Sequence, residues 1–259
     1  MNAQHKNLFP AAIKMGTVEI FGEQSLQPVL LRLIPTYTTA GLLHPQEKIV
    51  LSSYRLAKRR TEYLTGRICA KKAVQAFLRE SGTSSHPLTP AEIAITPASD
   101  GRPTVHLLSL DAKPCKVDLS ISRSGDYAAA LAARSPCGID LQMQKSALIK
   151  VQEKYCTEAE THLLANRLAN CELLTRLTLL WAAKEAGKKA LSYWQMPGFL
   201  DLQLSALTSY PGYFSVSLKI INSTNKHFPE RITVVAAMFS DYAVAICLVP
   251  AEGDNAGVA

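Results

Sequence analysis

Val117-Asp118-Leu119-Ser120-Ile121-Ser122-Arg123-Ser124-Gly125-Asp126, continued by Tyr127–Ala133 and then by Gly138-Ile139-Asp140-Leu141-Gln142, is the stretch that decides the fold class. Val117, Leu119 and Ile121 alternate with Asp118, Ser120 and Ser122, which is the side-chain period of a strand. Ser124-Gly125-Asp126 is a hairpin turn signal, so Tyr127–Ala133 reads as the return strand. Ser135-Pro136 breaks the chain, and Gly138–Gln142 begins another alternating strand. A boundary between two halves is expected near Ala133–Gly138.

Outward from this centre, each side carries a long helix. From Pro45 to about Ser81, Tyr63, Leu64, Ile68, Ala73, Phe77 and Leu78 recur at three-and-four spacing, and Gly82 with Thr83, Ser84 and Ser85 ends the run. Short apolar runs at Val18–Phe21, Val29–Leu33 and Ile93–Thr96 suit strands, with a turn at Ser99–Pro103. On the other side a helical region runs from about Thr157 to Leu191, with a break near Asn166–Asn170. After the turn at Met196-Pro197-Gly198, strands are expected at Phe214–Ile221, Arg231–Phe239 and Tyr242–Leu248. Strands, long helix and further strands in each half make the class α+β. The expected domains are 15–134 and 135–250, with 1–14 and 251–259 as flexible termini. No repeat is visible at a period of 20–50 residues.

Composition limits the function classes. The formal net charge is +7, but it is concentrated. Arg55, Lys58, Arg59, Arg60, Arg67, Lys71 and Lys72 share one window with a single acid, Glu62, while the rest of the chain is close to neutral. A uniformly cationic nucleic-acid coat is excluded, and one local anion site remains. No apolar stretch is long enough to span a membrane, and the N-terminus lacks a long apolar core of a signal sequence. The six cysteines are scattered without a CxxC, as in a cytoplasmic protein with reduced thiols.

Three groups of residues could carry chemistry. On the strand Gly138–Gln142, Asp140 and Gln142 share a face and are expected to point outward, with Ile139 and Leu141 inward. Two oxygen-bearing side chains there suit a hard cation such as Mg²⁺ completed by phosphate oxygens, although the polar face of a half-buried strand looks the same. In Leu173–Lys189, Leu174, Leu177 and Trp181 form an apolar stripe that Lys184 and Lys188 continue, with Glu185 beside its edge. That change from apolar to ionisable marks either a ligand cleft or a helix end emerging into solvent. In the basic window, Arg60 and Arg67 lie two turns apart on one face and could hold a polyphosphate. A solvated face and a nucleic-acid site are the other readings.

Taken in order, the motifs resemble those of the 4′-phosphopantetheinyl transferases of the Sfp/EntD type, over about residues 45–250. They are Lys58-Arg59-Arg60…Glu62-Tyr63-Leu64…Gly66-Arg67…Cys69-Ala70-Lys71, Gly101-Arg102-Pro103, Leu119-Ser-Ile-Ser122-Arg123, Gly138-Ile-Asp140, and Trp181-Ala-Ala-Lys184-Glu185-Ala…Lys189. The Gly-Ile-Asp and Trp-x-x-Lys-Glu-Ala…Lys pair is the specific part. The resemblance implies two similar α+β halves in a pseudo-twofold arrangement within a monomer, with coenzyme A bound between them. It implies transfer of the phosphopantetheine arm from coenzyme A to a serine of an apo acyl or peptidyl carrier protein, with release of 3′,5′-ADP. Such transfers serve fatty-acid, polyketide and nonribosomal peptide biosynthesis. No nucleic-acid or membrane partner is expected.

The resemblance also implies roles. Asp140 and Glu185, with Gln142, match metal-binding positions for Mg²⁺. Glu185 matches the residue proposed as base for the carrier serine, and Lys189 the lysine at the phosphates. Arg59, Arg67, Arg102, Pro103, Ser122, Arg123 and Lys184 fall on coenzyme A-binding positions. Two positions depart from the family pattern. Arg123 stands where histidine is usual, which keeps a phosphate ligand but removes titration near neutrality. Gln142 stands where an acid is usual, a weaker Mg²⁺ ligand whose place water can fill. The alternative is a non-catalytic module that binds coenzyme A or a carrier protein.

Overall fold

The computed structural model describes residues 28–33, 41–82, 88–108, 117–223 and 225–249. Its described residues divide into two compact units, one ending at Arg134 and the other beginning at Ser135. The expected strand at Val18–Phe21, Cys115 and the expected flexible termini lie outside the described residues.

The first unit contains β1 (Val29–Arg32), α1 (Pro45–Ser53), α2 (Ala57–Glu80), β2 (Ile93–Pro97), β3 (Pro103–Leu107), β4 (Asp118–Ser124) and β5 (Tyr127–Ala133). β5 is central in an antiparallel sheet of order β1-β5-β4, and β2 pairs with β3. The β4–β5 hairpin turns at Gly125, whose φ of 54° is the left-handed conformation that glycine adopts without strain. α2 buries Leu64, Ile68, Ala73, Val74, Phe77 and Leu78 against Leu119, Ala128, Ala130 and Ala132. The alanine-rich strand β5 lets that helix approach the sheet closely. Gly82, with φ of 62°, follows the end of α2, as expected of a helix stop.

The second unit contains β6 (Cys137–Met143), the one-turn α3 (Ala147–Lys150), α4 (Glu158–Arg167), α5 (Leu173–Leu191), β7 (Leu202–Tyr210), β8 (Tyr213–Ile220), β9 (Arg231–Phe239) and β10 (Tyr242–Leu248). Its five strands are antiparallel in the order β6-β10-β9-β8-β7. The interruption expected near Asn166–Asn170 separates α4 from α5. Strands β3 and β7 are additions to the sequence reading; in β3 intermediate and exposed residues alternate, so no continuous apolar run marked it.

The two units repeat one plan, strand, short helix, long helix, then four strands, to which the second adds the one-turn α3. The repeat reaches individual side chains at a constant offset of 113 positions. His44 and Thr157 cap α1 and α4, each closing a capping box with Glu47 or Glu160 at the third helical position. Each glutamate continues inward. Glu47 accepts from the backbone N–H of Ile95 on β2 and pairs with Lys71 of α2 at 2.5 Å. Glu160 accepts from the N–H of Leu204 on β7 and pairs with Lys184 of α5 at 2.7 Å. Thr65 and Thr178, both buried, donate back to the carbonyls of Thr61 and Leu174. One carboxylate thus caps a short helix, accepts from a strand N–H and anchors a long helix in each unit. The lysines are buried and held below their ordinary pKa by desolvation, while the paired glutamates pull the other way.

Candidate active site

The second unit gathers the acidic and basic motif residues around the contact of α5 with β6. Gly138 makes that contact possible: a Cβ there would lie 1.9 Å from the carbonyl oxygen of Ala186. The helix face pressed on the sheet is built from Ala182, Ala183, Ala186 and Ala190, meeting Ala243 and Ala245 of β10. Because residues two apart on a strand share a face, Asp140 looks the same way as Gly138, towards α5. Lys189 of that helix donates to Asp140 Oδ1 at 2.6 Å and to the carbonyl of Ile139 at 3.0 Å. Asp140 is 5% exposed.

This corrects the expectation that Asp140 and Gln142 form an outward face. Ile139 and Leu141 are buried on the opposite face, so β6 is covered on both sides up to Leu141 and its polar face meets a helix. Gln142 donates its amide nitrogen to the carbonyl of Met143 at 2.8 Å, which leaves the amide oxygen as its ligand atom.

Glu185 lies one helical turn before Lys189 and keeps partial access, at 23% side-chain exposure. Lys188 donates to its Oε1 at 3.2 Å and stands over the ring of Phe199 at 3.8 Å. Phe199 in turn packs on Trp181, with centroids 4.5 Å apart, and Trp181 meets Tyr155 edge-on at 4.9 Å. This aromatic wall fixes the Lys188 ammonium, and through it the Glu185 carboxylate. Lys184 has a different fate from the one the motif suggested. It is fully buried, with Nζ 2.7 Å from Glu160 and donating to the Tyr155 carbonyl at 2.6 Å. Its reading as a coenzyme A-binding residue is corrected: the ammonium is enclosed by the fold and held by Glu160 and the Tyr155 carbonyl.

Among the described residues no group of three or more His, Cys, Asp or Glu is placed to hold a metal ion. Asp140 and Glu185 supply two carboxylates, and Gln142 one amide oxygen. This donor set suits Mg²⁺, which takes one or two carboxylates and completes its shell with water and substrate phosphate oxygens.

In the first unit a cavity of about 420 Å³ is lined by Glu47, Tyr54, Tyr63, Arg67, Pro103 and Arg123, among others. Two of the predicted cations, Arg67 and Arg123, therefore meet with Pro103 in one concave site. Gly66 gives the Arg123 stem passage, since a Cβ there would stand 3.3 Å from Arg123 Cδ. Arg67 packs its guanidinium over the Tyr63 ring at 4.9 Å, and burial raises the Tyr63 phenol pKa against the pull of that cation. Three other predicted residues are not among those lining the cavity. Arg59 is largely exposed and paired with Glu62 at 3.1 Å. Arg102 is forked onto Asp118 through Nε and Nη2. Ser122 is buried on the face of β4 opposite Ile121 and Arg123. Arg60, paired with Arg67 in the sequence reading, donates instead to the carbonyl of Tyr54 at 2.6 Å. Glu47 and Tyr54 are additions; only their contacts, not their spacing, reveal them.

Comparison with known proteins agrees with the motif reading. Residues 136–247 match the family model described as ACPS: 4′-phosphopantetheinyl transferase superfamily. Enterobactin synthase component D of Escherichia coli O157:H7 is 34% identical over 151 residues, 57% of this chain and 62% of that protein. The protein of the same name from Escherichia coli strain K12 is 33% identical over the same shares. This chain therefore spans less than two thirds of the length of these relatives. Among solved structures, the Chronobacterium ammoniagenes ACPS–CoA complex aligns at 23% identity and a TM-score of 0.35, covering 42% of this chain and 93% of that one. The resemblance carried by the Gly-Ile-Asp and Trp-x-x-Lys-Glu-Ala…Lys motifs is thus borne out, and residues 136–247 carry the signature of the 4′-phosphopantetheinyl transferase superfamily.

Proposed function

We propose that this chain transfers the 4′-phosphopantetheine arm of coenzyme A to a serine of an apo carrier protein and releases 3′,5′-ADP, with Mg²⁺ as cofactor. One observation carries the reading: the buried Asp140–Lys189 pair with Glu185 one turn away, in the segment that matches the family model.

The reaction needs charge neutralisation and in-line positioning more than covalent help. Lys189, anchored by Asp140 and the Ile139 carbonyl, presents its ammonium to the pyrophosphate. Glu185 accepts the proton of the carrier serine hydroxyl as its oxygen bonds to the phosphorus of the arm. The bond from that phosphorus to the bridging pyrophosphate oxygen breaks, and the electron pair leaves with 3′,5′-ADP. Asp140, Glu185 and the Gln142 oxygen would hold Mg²⁺, which supplies neutralisation of pyrophosphate charge when bound. Arg67, Arg123 and Pro103 are the groups for the nucleotide end. Arginine at position 123 suits a phosphate bidentately at any working pH. A cytoplasmic setting fits six scattered cysteines without a CxxC pair.

The test is mass spectrometry after incubation with coenzyme A, Mg²⁺ and apo carriers of the fatty-acid, polyketide and peptide-synthetase kinds. A phosphopantetheine mass increment on a carrier serine is expected. Asp140→Asn and Glu185→Gln should each lower the rate by at least about a hundredfold without changing the circular dichroism spectrum. Coenzyme A binding with no transfer to any carrier would favour the non-catalytic module instead.

A further inference from the structure

The cavity of the first unit contains an anomaly for an anion site. Glu47 is the one carboxylate among its lining residues, and it is 1% exposed. An acid in the wall of a phosphate-binding cavity repels the ligand unless its charge is balanced and its presence serves another group. Lys71 balances it, at 2.5 Å. Arg67 is the other group: its Nε lies 4.0 Å from Glu47 Oε1, and it is buried without a hydrogen-bond partner among the described residues.

The second unit is an internal control. Glu160 and Lys184 reproduce the Glu47–Lys71 pair, including the capping box and the bond to a strand N–H. At the same offset the residue matching Arg67 is Leu180. The fold thus uses the Glu–Lys pair in both units, and among the described residues only the first sets a guanidinium beside it.

We propose that Glu47 is a positioning residue that orients Arg67 for the phosphate of the nucleotide end of coenzyme A; this rests on the transferase reading above. The Arg67 fork is held on two sides. Glu47 attracts the Nε edge, and the Tyr63 ring lies beneath the guanidinium carbon. The two terminal amino groups are then the part of the fork presented to an anion. A guanidinium fixed in this way binds phosphate without first giving up rotamer freedom. The balanced Glu47–Lys71 charges leave the net potential of the cavity unaltered, so orientation is what Glu47 contributes.

The experiment is calorimetric titration of the full chain with coenzyme A, together with steady-state kinetics at saturating carrier. Glu47→Gln is expected to weaken coenzyme A about tenfold, the scale of having to immobilise one long side chain on binding. KM for coenzyme A should rise in step while kcat stays within about twofold. Glu47→Asp should recover part of the loss. Glu160→Gln breaks the equivalent pair where no arginine stands, and should leave coenzyme A affinity within about twofold of the parent. Glu47→Gln/Lys71→Met removes the buried charges together; it should bind as weakly as Glu47→Gln and serves if the single variant does not fold. Affinity in Glu47→Gln or in Glu47→Gln/Lys71→Met equal to that of Glu160→Gln overturns the assignment. A parent chain that gives no heat with coenzyme A overturns the transferase reading as well, so the two failures are distinguishable.

Discussion

Gly138 shows how much one residue can carry in this fold. Its motif drew notice for the neighbouring acid, yet the glycine itself is what lets α5 lie on β6. A methyl group there would sit 1.9 Å from the Ala186 carbonyl oxygen and 2.7 Å from the Ala190 nitrogen, and neither backbone atom can move aside alone. Gly138→Ala should cost more than about 3 kcal/mol, at the upper end of overpacking effects. At Gly187, also in the packed core, the three nearest neighbours of an added Cβ are methyl ends of Ile232, Leu202 and Leu218, at 2.8–3.3 Å. There the gain in helix propensity of about 1 kcal/mol offsets the crowding, and Gly187→Ala should stay within about 1 kcal/mol of the parent. Urea unfolding of both variants checks this, and equal midpoints would refute the close-approach account. The sequence marked Gly138 as part of a motif but could not show its purpose, because the clashing partner is a helix carbonyl distant in sequence.

At the scale of the element, α5 shows where reading by periodicity stops. The stripe Leu174, Leu177, Trp181, Lys184, Lys188 is real, and its change from apolar to charged was legible. Its meaning was not, because whether a charge on the buried face seeks a ligand or a counter-ion depends on Glu160, which another helix delivers. Lys184 found the counter-ion, while Lys189, on the side towards β6, found Asp140. The same limit applies to β4 and β6, whose alternation gave the two faces correctly but not that both would be covered. The Lys184 pair makes a quantitative prediction. Lys184→Met leaves Glu160 charged and buried, and should cost about 3 kcal/mol or more. Glu160→Gln/Lys184→Met keeps an acceptor for the Leu204 N–H and removes both charges, so most of that loss should return. A double variant no more stable than Lys184→Met, measured by chemical denaturation, would refute a purely electrostatic cost.

Across the whole molecule, the repeat at 113 positions separates what the fold needs from what the chemistry needs. Leu64 and Leu177, Thr65 and Thr178, Ala70 and Ala183, and Lys71 and Lys184 keep their identity between the units. At the same offset Lys72 matches Glu185 and Ala76 matches Lys189, so the groups proposed for chemistry occur in one unit only. This repeat was hidden from a search at short period, and its few matching positions become visible only when the buried pairs are superimposed. The α+β class and most strands were legible because both periods are strongly expressed, and motifs marked Arg67, Pro103 and Arg123; the approach of Glu47 to Arg67 was not legible, since it joins α1 and α2 through side chains without a shared motif.

Burial spread over both units also fixes the response of the whole fold to alkali. Burial pushes the Cys247 thiol up to about 12 from 9.0, and Cys69 and Tyr155 shift in the same direction. Between those two values the unfolded chain loses the Cys247 proton and the folded chain keeps it. The folded state then binds more protons, so stability falls as pH rises above 9, by about 1.4 kcal/mol per pH unit from this thiol. Lys71 and Lys184 act oppositely. Their folded pKa values lie below 10.5, so the unfolded state binds more protons there and stability gains with pH until both states are neutral. The two contributions overlap in the parent chain, but Cys247→Ala removes only the first. Urea unfolding from pH 8 to 11 should therefore show the stability of Cys247→Ala rising relative to the parent, with no change in the difference below pH 8.5 and a slope of about 1.4 kcal/mol per pH unit above 9. A difference independent of pH would mean that Cys247 ionises as readily in the fold as outside it, and that the β10 face against α5 admits water.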